Sequence, residues 1–233
     1  MNSTEICSDV LTPMQLPKTE NESVQNNATV RVKELSERDR RCLLMHFLEM
    51  SDADRLLRFG VALPDELITK YVQKINFTRD AVFGVFDSKF KLVGVGHLAY
   101  IPREALPFIA NATTKGCTAE FGVSVSVAAR GMGIGTKLFH RAEIHCRNAD
   151  VDTLYIHCLS SNQVMMHLAT KADMEIHHDH GESDAFLKLR PANPSSMMQE
   201  AVDEQVATFD YALKANTRAA AKWLEYFPVF KTF

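Results

Sequence analysis

Residues 29–190 contain two kinds of segment, in which apolar residues recur either at every second position or at every third or fourth. The first pattern alternates side chains across a strand, and the second gathers them on one face of a helix. The predicted strands lie at residues 29–35, 81–86, 92–101, 118–127, 153–158, 174–178 and 185–189. The predicted helices lie at about 36–49, 64–75, 134–148 and 162–172. Strands dominate first and then alternate with helices, which predicts an α/β fold of the α+β type, a mixed sheet flanked by helices.

Beyond Pro194, apolar residues recur at steps of three, four or seven. They are Met198, Val202, Val206, Phe209, Leu213, Ala220, Trp223 and Phe227. This spacing predicts one long helix, or two helices broken near Asn216 and Thr217. A soluble monomer rarely leaves such a face in water. We therefore expect this face to pack on the chain's own core or against a second copy in a homodimer.

The remaining segments are polar. Residues 1–28 are rich in Asn, Ser, Thr and Glu and have too few apolar residues to form a face, so we expect a disordered tail. Residues 102–116 have the composition of a loop. The predicted organisation is a tail at 1–28, a domain at 29–191 and a helical extension at 192–233.

Composition and charge narrow the classes of partner. The chain has 233 residues, 46% of them hydrophobic, which is enough to bury a core in one or two domains. Its 26 basic and 29 acidic side chains give a net charge of −3, so the basic excess that favours nucleic acid or membrane surfaces is absent. The start of the chain lacks the pattern of a secretory leader. We expect a cytoplasmic protein with neither nucleic acid nor membrane as a partner.

The chain has five cysteines, with no CxxC pair among them. This number and spacing predict free thiols in a reducing compartment rather than a disulfide framework or a zinc ribbon. Histidines cluster at His177, His178 and His180. Consecutive strand residues point to opposite faces, so we expect these rings to be exposed and no metal ion to be bound.

The strongest local motif is a strand that runs into a glycine-rich turn and then a helix. The strand at 118–127 places Phe121, Val123, Val125 and Val127 on one face and Glu120, Gly122, Ser124 and Ser126 on the other. Three closely spaced glycines then precede the helix that begins near residue 134. The first turn of a helix has unpaired N–H groups and a partial positive charge, and glycines let an anion approach the main chain. The motif therefore predicts a phosphate site.

Two nucleotide-binding motifs do not fit this turn. In a dinucleotide fingerprint the third glycine would fall on Thr136, and the strand that follows the helix ends without an acidic partner for a ribose. A Walker loop needs Gly-Lys-Ser/Thr, whereas Gly135-Thr136-Lys137 has the reverse order.

The turn instead has the pattern RxxGxG, formed by Arg130, Gly131, Met132, Gly133, Ile134 and Gly135. With this pattern after a strand that begins with a glutamate, the chain resembles the GNAT superfamily of acyl-CoA-dependent N-acetyltransferases. The resemblance extends to the segment 162–174 and covers about residues 30–190. Within the superfamily, Ala119-Glu120-Phe121 and Leu168-Ala169 look most like the acetyltransferase domain of bacterial Pat-type protein-lysine acetyltransferases.

The resemblance implies a mixed, mostly antiparallel sheet and a ligand, acetyl-CoA, that acts as co-substrate with an amine acceptor. It implies that Val123 and Val125 offer backbone hydrogen bonds to the acetyl-pantetheine arm. It also implies that the residues from Arg130 to Thr136 hold the pyrophosphate and that Asn162 contacts the pantetheine.

Acetyl transfer needs a neutral amine, and a lysine with a pKa of about 10.4 is neutral at pH 7 in only about one molecule in a thousand. Glu120, on the small-residue face of the strand, is the candidate general base. Ala169 stands where the family usually has a tyrosine that protonates the thiolate, which leaves Ser160, Ser161 or water as weaker donors. The alternative is an acyl-CoA-binding regulatory module with little or no turnover, and the retained glutamate favours the enzyme.

Overall fold

The structure of the protein is a computed structural model that describes residues 30–101 and 117–225. The predicted tail, the predicted loop at 102–116 and Phe227 lie outside the described residues. For residues 221–225, Trp223 among them, only the backbone is described.

Seven strands form one sheet in the order β1-β2-β3-β4-β5-β7-β6. Their bounds are β1 Lys33–Glu34, β2 Ala81–Phe86, β3 Leu92–Ile101, β4 Cys117–Val125, β5 Val151–Leu159, β6 Glu175–Asp179 and β7 Glu182–Lys188. All neighbouring strands are antiparallel except β4 and β5, which are parallel. This confirms the predicted mixed, mostly antiparallel sheet.

Helices cover both faces of the sheet. Their bounds are α1 Arg40–Leu48, α2 Asp52–Phe59, α3 Asp65–Lys74, α4 Ile134–Asn148, α5 Gln163–Lys171 and α6 Pro194–Glu225. Side chains of α4 and α5 pack with Phe83 and Phe121 on one face, whereas α1 and α3 pack with Val82 and Phe86 on the other. Strand β2 contributes side chains to both cores, because successive side chains of a strand point to opposite faces.

Helix α2 is absent from the sequence prediction. Its one buried residue is Arg55, whose guanidinium donates to the backbone carbonyls of Leu48, Met50 and Leu63. An arginine satisfied by carbonyl oxygens can occupy a buried position that usually holds an apolar residue. The helix has only eight residues, and its apolar residues Leu56 and Leu57 are exposed, so it is too short for the windows in which apolar periodicity identifies a helix.

Strand β4 ends two residues before the predicted bound. A short 3-10 turn at Val127–Ala129 follows it, and the Val127 side chain, predicted to pack with the other valines, is 67% exposed.

Helix α6 is continuous through Asn216 and Thr217, so of the two predicted arrangements the single helix is the one present. Its inner face is polar. Arg141 of α4 contacts both Glu200 (2.6 Å) and Glu204 (3.3 Å), and Tyr211 donates to Asp39 at 2.8 Å.

Of the two predicted partners for the apolar row of α6, packing on the chain's own core is wrong for the large side chains of the row that the structure describes. Met198, Val202, Val206, Phe209 and Leu213 are all exposed, with Met198 at 70% and Phe209 at 67%. The ion pairs with α4 orient the helix so that its apolar row faces away from the core. Within 30–101 and 117–225, no helix combines the length and the apolar character needed to cross a bilayer.

Candidate active site

The two central strands, β4 and β5, pair over only part of their length. Their register runs from Cys117 opposite Val151 to Glu120 opposite Tyr155, and no pair follows. Beyond Glu120 the edge of β4 that faces β5 therefore lacks a strand partner.

The alternation of hydrogen bonds identifies which backbone groups occupy this open edge. Ser126 N–H donates to the Val93 carbonyl of β3 at 2.8 Å. In an antiparallel pair, alternate residues direct both backbone groups to the partner strand. The even-numbered residues of β4 therefore bond to β3, and Val123 and Val125 direct their N–H and C=O groups toward the gap. The Val125 carbonyl accepts a bond from Arg130 Nε at 3.3 Å.

A cavity of about 290 Å³ lies at the start of this gap, on the face of β4 that looks toward α2 and α3. Its polar lining residues are Arg58, Tyr71, His97, Glu120 and His157. The apolar part of the lining includes Leu57, Phe59, Ala99, Val123, Leu159 and Met165. Glu120 thus lies, partly buried, in a cavity beside the open edge of its own strand.

A buried chain of polar groups leads away from this cavity. The Tyr71 hydroxyl is 2.7 Å from His97 Nδ1, and His97 Nε2 is 3.7 Å from the Asp80 carboxylate. Burial, with a smaller contribution from Arg58, lowers the pKa of His97 to about 4, so the ring is neutral at pH 7. The carboxylate favours a proton on Nε2. Tyr71 then donates to Nδ1.

Three further polar side chains lie near the end of β5, and of these only Ser160 belongs to the predicted catalytic set. His157 Nδ1 and the Tyr155 hydroxyl both contact Asp184 Oδ1, at 2.8 and 2.5 Å. Ser160 donates to the Glu182 carbonyl at 2.8 Å and lines neither cavity. Its hydroxyl is also 2.7 Å from Ser183 Oγ, so its contacts are with β7 and not with a cavity, which argues against Ser160 as the proton donor.

A second cavity, of about 320 Å³, continues the gap toward the glycine turn. Of the predicted pyrophosphate residues, Arg130, Gly131, Gly133, Ile134, Gly135 and Thr136 line it. Met132 does not, and its side chain is 55% exposed. Val123 and Met165 line both cavities, so the two spaces adjoin.

The backbone of the turn leaves room for an anion. Gly131 and Gly133 have φ values of +77° and +72°, which glycine adopts without strain. A Cβ built on Gly131, Gly133 or Gly135 would meet no heavy atom within 4 Å. The first N–H groups of α4 have no intrahelical acceptor, and Gly133 at its N-cap has no side chain to satisfy them. These features fit a diphosphate.

Helix α2 contacts both motifs that the sequence singled out. Asp54 pairs with the Arg130 guanidinium, and the Leu57 carbonyl accepts a bond from the Asn162 side chain at 3.2 Å. Asn162 also caps α5 by accepting from Met165 N–H at 3.1 Å. Both predicted ligand-binding side chains thus have protein partners, and Asn162 is 7% exposed.

Sequence reasoning missed Arg58 and Tyr71 and gave His97 no role. Arg58 belongs to the undetected helix, and Tyr71 lies among the apolar residues of α3, where it is typical of a core. A tyrosine and a histidine on buried faces were the available signal, because buried polar tips usually have a partner.

Comparisons with known proteins agree with this geometry. The family model described as the acetyltransferase (GNAT) family matches residues 49–174. No curated protein sequence matches significantly.

Among similar solved structures, the GNAT domain of S. lividans PAT is 17% identical and covers 69% of this chain and 90% of its own, with a TM-score of 0.56. A GCN5-related N-acetyltransferase from Kribbella flavida is 16% identical over 70% of this chain and 99% of its own, with a TM-score of 0.53. Arabidopsis thaliana NAA60 in complex with acetyl-CoA is 13% identical over 69% and 98%, with a TM-score of 0.52. At these identities the similarity shows the fold alone.

Proposed function

The chain belongs to the acetyltransferase (GNAT) family, and from this premise we propose that it transfers an acetyl group from acetyl-CoA to an amine. One observation carries the proposal: strands β4 and β5 separate after Glu120, and two adjoining cavities run along the open edge from Glu120 to the glycine turn. An extended ligand with a reactive end and an anionic end fits this arrangement.

Different residues along the gap bind different parts of acetyl-CoA. Val123 and Val125 offer backbone groups to the amide-containing arm of acetyl-CoA, as an adjacent strand would. The N–H groups at the start of α4, together with Arg130, hold the diphosphate. Arg130 can contribute only if its pairing with Asp54 loosens or is shared. Asn162 contributes by fixing α5 and α2 around the pantetheine.

Glu120 acts as the general base, directly or through a water molecule. It takes one proton from the substrate ammonium, and the neutral nitrogen then attacks the thioester carbonyl carbon. The C–N bond forms, the C–S bond breaks, and CoA leaves as the thiolate. A second proton leaves the nitrogen. One of the two protons reaches the CoA thiolate through water and the other goes to solvent, so that the products are an acetamide, the CoA thiol and one proton.

The thiolate can depart without a dedicated acid. A thiol pKa of about 8.5 makes it a tolerable leaving group near neutral pH. Ala169, at the position where the family usually has a tyrosine, is 1% exposed in the core of α5. This missing acid is the observation that favours the alternative, an acyl-CoA-binding regulatory module with little turnover.

Two classes of acceptor are compatible with this chemistry. The resemblance of Ala119-Glu120-Phe121 and Leu168-Ala169 to Pat-type protein-lysine acetyltransferases suggests a protein lysine, whereas the cavity of about 290 Å³ around Glu120 suggests a small amine.

The test is to incubate the protein with acetyl-CoA and a panel of amines and lysine peptides while free thiol is measured. We expect thiol release that depends on at least one amine, with acetyl-CoA alone as the control. Binding of acetyl-CoA by calorimetry without thiol release for any amine would instead support the regulatory module.

A further inference from the structure

The cavity around Glu120 contains one side chain of each charge. Among the described residues that line it, Glu120 is the acid and Arg58 is the permanently charged base. His97 is neutral at pH 7 because burial and Arg58 lower its pKa to about 4. The cavity therefore offers two separate ionic contacts to whatever enters it.

Arg58 lies flat on the backbone of β4. A Cβ built on Gly122 would come within 2.5 Å of the Arg58 guanidinium carbon, so the guanidinium occupies the space that a side chain at this position would fill. Arg58 also donates to the Tyr71 hydroxyl at 3.2 Å and lies 5.0 Å from the Phe59 ring centroid. These contacts hold the guanidinium at the wall of the cavity.

The guanidinium has no anionic partner in the part of the chain that the structure describes. The ion pairs of the described residues include neither Arg58 nor Glu120, and the carboxylates Asp54 of α2 and Asp65 of α3 pair with Arg130 and Arg55 instead. A half-buried guanidinium usually has a carboxylate or phosphate partner, because its removal from water is otherwise uncompensated. The Tyr71 hydroxyl satisfies only one of its five donors.

The two charged side chains line the same cavity at neighbouring positions of one strand face. Gly122, under Arg58, and Glu120 lie on the same face of β4 two residues apart, so their Cα atoms are separated by about 6.6 Å. An α-amino acid separates its ammonium nitrogen and carboxylate carbon by about 2.5 Å, with two bonds between them. Hydrogen bonds of about 2.8 Å at each end extend its reach to about 8 Å.

We propose that the acceptor is a small zwitterion of the α-amino acid class, with its carboxylate on Arg58 and its amine at Glu120. This inference rests on the proposed acetyl transfer. A lysine side chain of a protein would bring only the ammonium and would leave the guanidinium uncompensated. The cavity of about 290 Å³ also accommodates a single amino acid more readily than a folded surface.

The experiment compares amino acids with acceptors that differ only in the carboxylate. Thiol release is measured for each of the twenty L-amino acids, for its C-terminal amide, and for lysine peptides with blocked ends. We expect the preferred amino acid to exceed its own amide in kcat/KM by about 30-fold, the size typical of a charge-assisted, bidentate contact.

Two variants test whether Arg58 causes the preference for the carboxylate. Arg58→Gln removes the guanidinium, and Gly122→Ala displaces it by placing a methyl group where it lies. The ratio to compare is kcat/KM for the amino acid divided by kcat/KM for its amide. Both variants should lower this ratio toward one, and Arg58→Lys should retain part of the preference for the amino acid. Because the comparison is a ratio within one protein, partial misfolding of a variant does not change it.

The outcomes are distinct. Acetylation of amides and amino acids with equal kcat/KM, or acetylation of lysine peptides alone, would refute the proposal that the acceptor is a zwitterion. Either result would still support the proposed acetyltransferase activity. A preference for the carboxylate that survives both Arg58→Gln and Gly122→Ala would overturn the role of Arg58. No thiol release with any amine would overturn the proposed function itself, and the acceptor class with it.

Discussion

Replacement of Gly133 by valine should abolish binding of acetyl-CoA while the protein stays folded. Gly133 has a φ of +72°, and a left-handed conformation costs a residue with a Cβ about 1–2 kcal/mol. A Cβ at this position meets no protein atom within 4 Å, so the cost in the fold is strain without a clash. For a chain of this size a loss of about 2 kcal/mol lowers the Tm by about 4–8 °C.

The effect on binding should be much larger. The valine methyl groups would project toward the second cavity, beside the N–H groups at the start of α4. Loss of two charge-assisted hydrogen bonds at about 1.5–3 kcal/mol each weakens binding by about 3–6 kcal/mol. This corresponds to about 10²- to 10⁴-fold in Kd.

Calorimetric titration with acetyl-CoA measures this Kd, and circular dichroism checks the fold. The matched control is Gly181→Val, because Gly181 also has a positive φ of +94°, has no atom within 4 Å of its Cβ position and lines neither cavity. The control should lose a similar amount of thermal stability and keep its affinity. An unchanged Kd in folded Gly133→Val would refute the placement of the diphosphate on this turn.

Three further predictions follow from other features. Glu120→Gln should lower kcat by about 10² to 10⁴ with little change in the Kd of acetyl-CoA; wild-type kcat across pH 6–9 would remove Glu120 as the base. Burial raises the pKa of Glu200, but hydrogen bonds from His145, Asn148 and Arg141 outweigh it and hold the pKa at about 2. The stabilisation is therefore complete above pH 4.5 and is lost as the pH falls toward 2. Glu200→Gln should lower the free energy of unfolding, measured in urea, by about 2–3 kcal/mol at pH 7, after allowance for partial solvent screening. This difference should shrink between pH 4.5 and pH 2, and a constant difference would contradict the pKa. Finally, the exposed apolar row of α6 predicts a dimer, and Phe209→Glu with Leu213→Glu should give monomers in light scattering; a wild-type monomer at high concentration would count against this interface.

The glycine turn and β4 were predictable because the residues that determine their structure are neighbours in the sequence. Alternation placed Glu120 opposite Phe121, and the three glycines marked a backbone that an anion can approach. The structure agrees with the alternation, with Phe121 in the core and Glu120 in a cavity.

The rest of the cavity depends on tertiary contacts. Arg58 reaches Gly122 only because α2 folds across β4, and α2 is a short helix whose one buried residue is an arginine. Periodicity also showed that α6 has an apolar face without showing which way that face turns. Ion pairs between Arg141 and the residues Glu200 and Glu204 determine its orientation, and these partners lie 59 and 63 positions from Arg141 in sequence.

The short pairing of β4 with β5 has a mechanical consequence. Eight paired positions join β3 to β4, but only four join β4 to β5, so the sheet consists of two blocks connected by a narrow parallel junction. A ligand that binds along the open edge of β4 would bridge these blocks in the place of the missing strand pairs. At one hundred times its Kd such a ligand stabilises the folded state by about 2.7 kcal/mol. We expect the gain to be concentrated at the junction, so that the amides of Val123 and Val125 exchange hydrogen more slowly when acetyl-CoA is present.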